Sequence, residues 1–217
     1  MINLILEAIR KPHEIIPFVI MKLNGLKMKL TKNSIFTMEK ELDMCSLQPR
    51  LIIDKVIELY KPTSILDIGC GSGKAIDYFI EKGVCDIRGI EGSEMAIRHA
   101  KYPKFILKHD LNQEISLNRK FDIIFSFEFI EHIHSKFIDN VLRTFHNHSD
   151  IIIMTAAKPR QKGQGHFNCQ TTEYWIRKLG LYGYKLNEVN TQKLKDTKDI
   201  FWKNLLVFER GKGNGRI

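Results

Sequence analysis

The stretch Leu66–Gly73, LDIGCGSG, constrains this chain more than any other. An apolar run, Ser64–Ile68, leads into three alternating glycines, Gly69, Gly71 and Gly73, and a helical pattern follows from Lys74 to Lys82. A strand, a glycine-rich turn and a helix start in that order make a nucleotide-binding βα unit. Glycine has no Cβ, so the turn's backbone N–H groups can come close to a ligand. Asp67, at the strand's end, is a candidate acceptor for hydrogen bonds from that ligand.

The rest of the pattern repeats the unit. Helical spacing of Leu51, Ile52, Val56 and Leu59 precedes Pro62, and strands are expected at 64–68, 86–91, 105–108, 121–127 and 150–155. Ser93 suits the N-cap of a helix reaching Ala100, and another helix is expected over Ser135–Phe145. The run 121–127 is too continuously apolar for a sheet exposed on one face. Beyond the helix that opens at Thr171–Trp175, strands are expected at 184–189 and 205–209, with a polar, mobile segment over 191–203. These last two strands read as an antiparallel hairpin. The whole is therefore a Rossmann-like, doubly wound, mostly parallel seven-stranded α/β sheet. Residues 1–45 read as a helical extension or lid, and 46–217 as the main domain.

Acidic residues sit at three successive strand ends. Glu91 with Gly92 closes the second strand, where a carboxylate can accept ribose hydroxyls, and Asp110 with Leu111 closes the third, suited to an adenine edge. The spacing G-x-G-x-G departs from the G-x-G-x-x-G of nicotinamide binders. In this ordered set, LDIGCGSG, GIEGS, HDL and FDIIFSFEFIEHI, the chain resembles the class I S-adenosylmethionine-dependent methyltransferases over about 51–210. The resemblance implies that Asp67, Gly69, Cys70, Gly71 and Gly73 hold the methionine part of the cofactor. By the same carry-over Glu91 holds the ribose and Asp110 with Leu111 the adenine, and Phe127 and Glu128 line the pocket beside the sulfonium.

Transfer to a hydroxyl or amine needs alignment and a proton acceptor. Glu128, Glu131, His132, His134 and His166 are the candidates, with His132, His166 and Glu128 expected to be catalytic. If 128–132 were helical, Glu128, Glu131 and His132 would share a face. Two readings of the acceptor follow from resemblance. The segment Gly163–Trp175 is similar to bacterial methyltransferases of unassigned or saccharide-related substrate, which implies a small-molecule or saccharide acceptor, with His166, Asn168 and Gln170 in its site. The alternative starts from E-x-x-E-H followed by a later His, which resembles small-RNA 3′-terminal 2′-O-methyltransferases. It implies Mg²⁺ or Mn²⁺ on Glu128, Glu131, His132 and His166. A non-catalytic cofactor-binding pseudoenzyme is the third reading. Tyr174 and Trp175 serve either to stack on a sugar or base or to pack helix on sheet.

Charge is uneven. Residues 156–217 carry 13 Lys/Arg against 5 Asp/Glu, whereas 51–155 carry 13 against 15. Such a tail suits an anionic partner, RNA included, or a solvated face. Residues 1–30 contain an amphipathic apolar pattern suited to peripheral membrane contact or to a lid. No run approaches the roughly 20 apolar residues of a membrane span. The four cysteines form no CxxC pair, so reduced thiols and a cytoplasmic location are expected.

Overall fold

The computed structural model describes residues 48–211. The expected lid and membrane-contact segment lie outside the described residues. Seven strands form one sheet: β1 Ser64–Ile68, β2 Asp86–Glu91, β3 Ile106–Lys108, β4 Ile123–Ser126, β5 Ile151–Thr155, β6 Tyr184–Leu186 and β7 Leu205–Arg210. Their order is β3-β2-β1-β4-β5-β7-β6. β1 to β5 pair in parallel, and β7 runs antiparallel to both β5 and β6. The chain reverses direction along the sheet between β1 and β4, which opens a crevice beyond their carboxyl ends.

Among the described residues six α-helices cover the faces: α1 Arg50–Tyr60, α2 Lys74–Glu81, α3 Glu94–Arg98, α4 Ile138–His148, α5 Thr172–Gly180 and α6 Glu188–Lys195. One apolar layer gathers Ile52, Ile53, Val56, Phe79 and Phe125 with Leu194, and the other gathers Phe145, Trp175, Leu179 and Phe208. Parallel strands sandwiched in this way read as unbroken apolar runs, and β1 is buried at all five residues. Each fully buried aliphatic side chain contributes about 1.5–3 kcal/mol against exposure.

Polar side chains set the element ends. Asp199 accepts from the N–H groups of Leu51 (2.7 Å) and Ile52 (3.1 Å) at the start of α1. Ser93 accepts from Ala96 N–H at 3.2 Å, the expected cap, although α3 stops at Arg98. Thr171 caps α5 through Tyr174 N–H.

Three expectations are corrected. The strand at 121–127 contracts to β4, because the Asp122 carboxylate turns back to accept from Thr63 N–H (2.7 Å) and Ser64 N–H (3.0 Å). The strand at 184–189 ends at Leu186, because Asn187 caps a helix through Asn190 N–H at 2.8 Å. That helix, α6, takes up the first five residues of the segment expected to be mobile, 191–195, so the last two strands are not joined by a simple turn. Its sequence is polar, and only Thr191 and Leu194 are buried.

Candidate functional site

The cofactor candidates and the Glu128–His132 turn gather beyond the carboxyl ends of β1 to β5. Gly69, Gly71 and Gly73 have φ of 75°, 54° and 74°, the left-handed region that favours glycine. At Gly69 a second constraint acts, since an added Cβ would run into the Phe129 ring, with Phe129 Cβ 2.7 Å away. Phe129 follows β4, so the glycine loop and the β4 turn are in direct contact. Gly69 N–H and Cys70 N–H donate to Ile90 O at 2.9 and 3.3 Å, which ties the loop to β2.

Glu91 completes that tie. Its carboxylate accepts from Gly71 N–H (2.9 Å) and Ser93 N–H (2.7 Å), with Gly92 N–H also acting on it. Burial raises its pKa while these amides favour the charged form. Each oxygen has one hydrogen bond here, which leaves lone pairs for ligand hydroxyls. Asp67 is different. It is 3% exposed, and no hydrogen bond to its carboxylate is found among the described residues. Burial first, and the Glu91 charge second, push its pKa up to about 8. Of the two acids Asp67 yields, because Glu91 has the amides. Cys70 has its thiol pushed up by burial and by both acids, and its sulfur lies where a Cβ on Gly89 would sit, so it is an inert packing group.

Asp110 accepts from Asn112 N–H (3.0 Å) and Asn112 Nδ2 (2.9 Å), a local turn that holds its carboxyl at the β3 end, beside buried Leu111. Phe127 stacks on Phe125 with ring centroids 4.0 Å apart and joins the layer that includes Cys70.

The β4 turn carries the candidate chemistry, though not on a helical face. Glu128 is left-handed at φ 49°, and Ile130–His132 forms a single 3₁₀ turn. A non-glycine residue held there stores backbone strain. Thr155, at the end of β5, donates its hydroxyl to Glu128 Oε1 (2.9 Å) and accepts from Glu128 N–H (2.7 Å). His132 is bonded through Nδ1 to Gly165 O at 3.1 Å, and its ring meets that of His166 edge-on, 5.1 Å between centroids. Burial, then the His166 charge, lowers the His132 pKa to about 4, so the ring is neutral at pH 7. Nδ1 must then be the donor to the carbonyl, and Nε2 keeps a lone pair.

Glu131 is fully buried, and among the described residues neither carboxylate oxygen meets a donor at good hydrogen-bond geometry. Burial, then the Glu128 charge, push its pKa up to about 8, and nearby amides of Glu131 and Ala157 offset this only in part. Its backbone carbonyl accepts from Phe167 N–H (2.9 Å) and Asn168 N–H (3.0 Å). Those bonds fold the β5–α5 loop, residues 158–170, over the turn. His166 packs on Gly163, where any side chain would overlap the imidazole, and its Nδ1 lies 3.7 Å from Cys169 Sγ. Asn168 is buried with Nδ2 unpartnered, while Gln170 Nε2 donates to its Oδ1 at 3.0 Å.

Glu128, Glu131, His132 and His166 thus share one neighbourhood. Among the described residues, however, no three His, Cys, Asp or Glu side chains converge as a group able to hold a metal ion. His134 stands apart, accepting from Lys136 N–H at 3.4 Å. Trp175 is fully buried in the core, which decides for helix packing over stacking on a ligand. Phe129, Thr155 and Gly165 were not singled out from the sequence. Of the three, Thr155 alone left a signal there, as a hydroxyl closing a buried apolar strand, like Ser126 at the end of β4.

Among the described residues no helix is long and apolar enough to cross a membrane. Among curated proteins, none matches the sequence. Solved structures do match. One is a TehB-like S-adenosylmethionine-dependent methyltransferase from Corynebacterium glutamicum, at 19% identity and TM-score 0.56, covering 75% of this chain and 86% of that one. Another is magnesium protoporphyrin IX methyltransferase from Synechocystis with bound S-adenosylhomocysteine, at 14% identity and TM-score 0.56, covering 79% and 83%. The small RNA methyltransferase HEN1 matches at 15% identity and TM-score 0.55, over 76% of this chain but only 25% of its own length. At such identities these likenesses show the fold. A family model described as a methyltransferase domain matches residues 44–188, well over half of the chain. The chain belongs to that family, and with this fold it is a class I S-adenosylmethionine-dependent methyltransferase.

Proposed function

We propose that this enzyme methylates a hydroxyl oxygen of a small, saccharide-like acceptor, with His132 as general base and Glu128 beside it. The observation that carries this reading is His132 itself. Its Nδ1 is spent on Gly165 O, its ring is neutral, and Nε2 is left with a lone pair, on the same turn as the strained Glu128. Bound S-adenosylmethionine supplies a methyl group on a positively charged sulfur. The protein's own tasks are to hold that group, align the acceptor, exclude water and take one proton.

The loop and strand ends fit such a cofactor. The glycine loop of Gly69, Cys70, Gly71 and Gly73, with Asp67, would take the methionine part. Glu91 and Gly92 would take the ribose, and Asp110 and Leu111 the adenine, with Phe127 at the wall. Asp67 supports this, since a buried carboxylate without a donor matches a cationic ligand. Proton loss from the acceptor follows oxygen–carbon bond formation, when the hydroxyl proton is acidic enough for a weakly basic imidazole. Glu128, hydrogen-bonded to Thr155 and within reach of the His166 charge, would stabilise the imidazolium that results. His166 shapes the wall rather than taking the proton, because its ring is packed on Gly163 and against Cys169. A site with the 158–170 loop folded over it suits a small acceptor.

One observation favours a second reading. The unpartnered carboxylate of Glu131 lies among Glu128, His132 and His166, and a divalent cation that drew the four together would make an RNA ribose methyltransferase. Tritiated methyl transfer to saccharide and RNA pools, with and without EDTA, separates the two. On the first reading transfer goes to saccharides, ignores EDTA, and falls about 10²–10⁴-fold in kcat for His132→Ala, with S-adenosylhomocysteine affinity within about twofold. EDTA-sensitive methylation of RNA, or an undiminished kcat in His132→Ala, would overturn it.

A further inference from the structure

We infer that Thr155 is a positioning residue for the transfer: it holds Glu128 so that one carboxylate oxygen, Oε2, is presented to the acceptor and takes a hydrogen bond from it. This rests on the hydroxyl-acceptor reading above and names the group that holds that acceptor.

The first observation is a pair of bonds made by one hydroxyl. Thr155 Oγ1 accepts from Glu128 N–H at 2.7 Å and donates to Glu128 Oε1 at 2.9 Å. Its single proton goes to the carboxylate, because the amide takes a lone pair. The backbone bond alone would satisfy the turn. The second bond fixes the side chain as well, and freezing a glutamate's rotamers costs entropy without adding to the backbone's satisfaction. Ser116 makes the same pair with Asn118, but at 3.2 and 3.3 Å within an exposed turn. Thr155 instead reaches across 27 residues, between the ends of two paired strands.

The second is where strain is kept. Glu128 has φ 49°, left-handed backbone that a non-glycine residue holds only when its surroundings over-determine it. Thr155 can impose it because its own place is set on both sides. β5 pairs with β4 at Met154–Ser126 and with β7 at Thr155–Leu205, and Ala156 N–H donates to Asn204 O at 3.1 Å. The residue is fully buried, at the end of a strand otherwise made of Ile151, Ile152, Ile153 and Met154. A valine would fill that volume with no polar atom to satisfy, so the hydroxyl is there for Glu128. Ser126, the hydroxyl that closes β4, is spent on Ile68 O at 2.9 Å and holds no side chain.

The third is which oxygen is left. Both Glu131 oxygens are sealed from solvent, and Glu128 Oε1 is taken by Thr155. Glu128 itself is only half-buried, and among the described residues its Oε2 has no hydrogen-bond partner. The residue stands two positions beyond β4 and is bonded to the end of β5, at the crevice beyond the strand ends. Of the acids on this turn, a bound molecule therefore meets Glu128 Oε2, a strong acceptor for a hydroxyl donor.

Initial rates of tritiated methyl transfer to the saccharide pool, at limiting pool concentration so that they read kcat/KM for the acceptor, test this. Thr155→Val should lower the rate by about tenfold or more, and Thr155→Ser, which keeps the hydroxyl, should stay within about threefold of the wild type. Glu128→Gln should lose a similar factor. Adding Thr155→Val to it should cost less than about threefold more, because Thr155 acts through Glu128. S-adenosylhomocysteine affinity in Thr155→Val should stay within about twofold, which a general loosening of the β4–β5 edge would not allow. A loss under about threefold in Thr155→Val, full additivity in the double variant, or an equal loss of S-adenosylhomocysteine affinity overturns the inference. Where Thr155→Val does not fold, Glu128→Gln decides, since it keeps the backbone bond to Thr155: a tenfold loss, about that expected above, supports the inference and an unchanged rate overturns it. If the inference fails while His132→Ala still loses activity, the function proposed above stands without it. No transfer to saccharides by the wild type overturns that function and this inference together.

Discussion

Replacing Gly69 by alanine separates two forces that hold the glycine loop. The residue sits at φ 75°, and an added Cβ would overlap the Phe129 ring. A non-glycine residue in left-handed backbone costs about 1–2 kcal/mol, and overpacking a filled site costs about 1–3 kcal/mol. Gly69→Ala should therefore lose about 2–5 kcal/mol, a large share of the roughly 5–15 kcal/mol that holds a domain folded. In a Phe129→Leu background the overlap is relieved and only the backbone strain remains. The two changes should thus couple by about 1–3 kcal/mol, measured by urea unfolding of the four proteins in the cycle. S-adenosylhomocysteine affinity should fall in Gly69→Ala and recover in part in the double variant, since Phe129 joins the loop to the Glu128–His132 turn. A coupling below about 0.5 kcal/mol would refute the reasoning, because the cost of Gly69→Ala would then owe nothing to that contact.

Two pH dependences follow from the buried acids. In the ligand-free protein Asp67 keeps its proton up to about pH 8, and a cationic ligand favours its ionised form. S-adenosylmethionine affinity should rise by up to about tenfold per pH unit towards that value, level off above it, and lose the slope in Asp67→Asn; a flat wild-type profile contradicts the assignment. Glu131 stays protonated to about pH 8 when folded but ionises near about 4.3 when unfolded. Between those values the folded state binds more protons, so its stability contribution is full at low pH and declines as pH rises. Glu131→Gln, neutral throughout, should show a smaller drop in melting temperature from pH 6 to 8.5 than the wild type, and an equal drop would show that the carboxyl ionises freely.

Much of the fold was legible because burial on both faces of a parallel sheet leaves unbroken apolar runs, and β1 and β5 fall where those runs do. The Ser93 cap was legible because a hydroxyl before a helical pattern has few other uses, and the helix opening at Thr171 was legible as a start. α6 was hidden for the opposite reason. Two buried residues in eight make almost no apolar stripe, and its start depends on Asn187, which as a single residue reads equally well as a turn. The cofactor side of the site was visible as glycines and acids at strand ends. Their division of labour was not, since only folding shows that Glu91 receives the loop's amides and Asp67 receives none.

The acceptor side was less legible still, and the reason is geometric. The E-x-x-E-H spacing suggests one helical face, yet the left-handed Glu128 breaks the helix before it begins. The four side chains nonetheless become neighbours, because the 158–170 loop hangs from the Glu131 carbonyl and brings His166 to the edge of His132. That contact spans more than thirty residues and depends on one backbone carbonyl and on the bare Cα of Gly163, neither of which a side-chain pattern records. The same loop carries Lys158, Arg160 and Lys162, whose charge was visible in the sequence but whose lack of partners was not. Composition could only count an excess of cations, whereas the fold decides which of them meet a carboxylate: among the described residues ten do, and Lys158, Arg160 and Lys162 are among the many that do not.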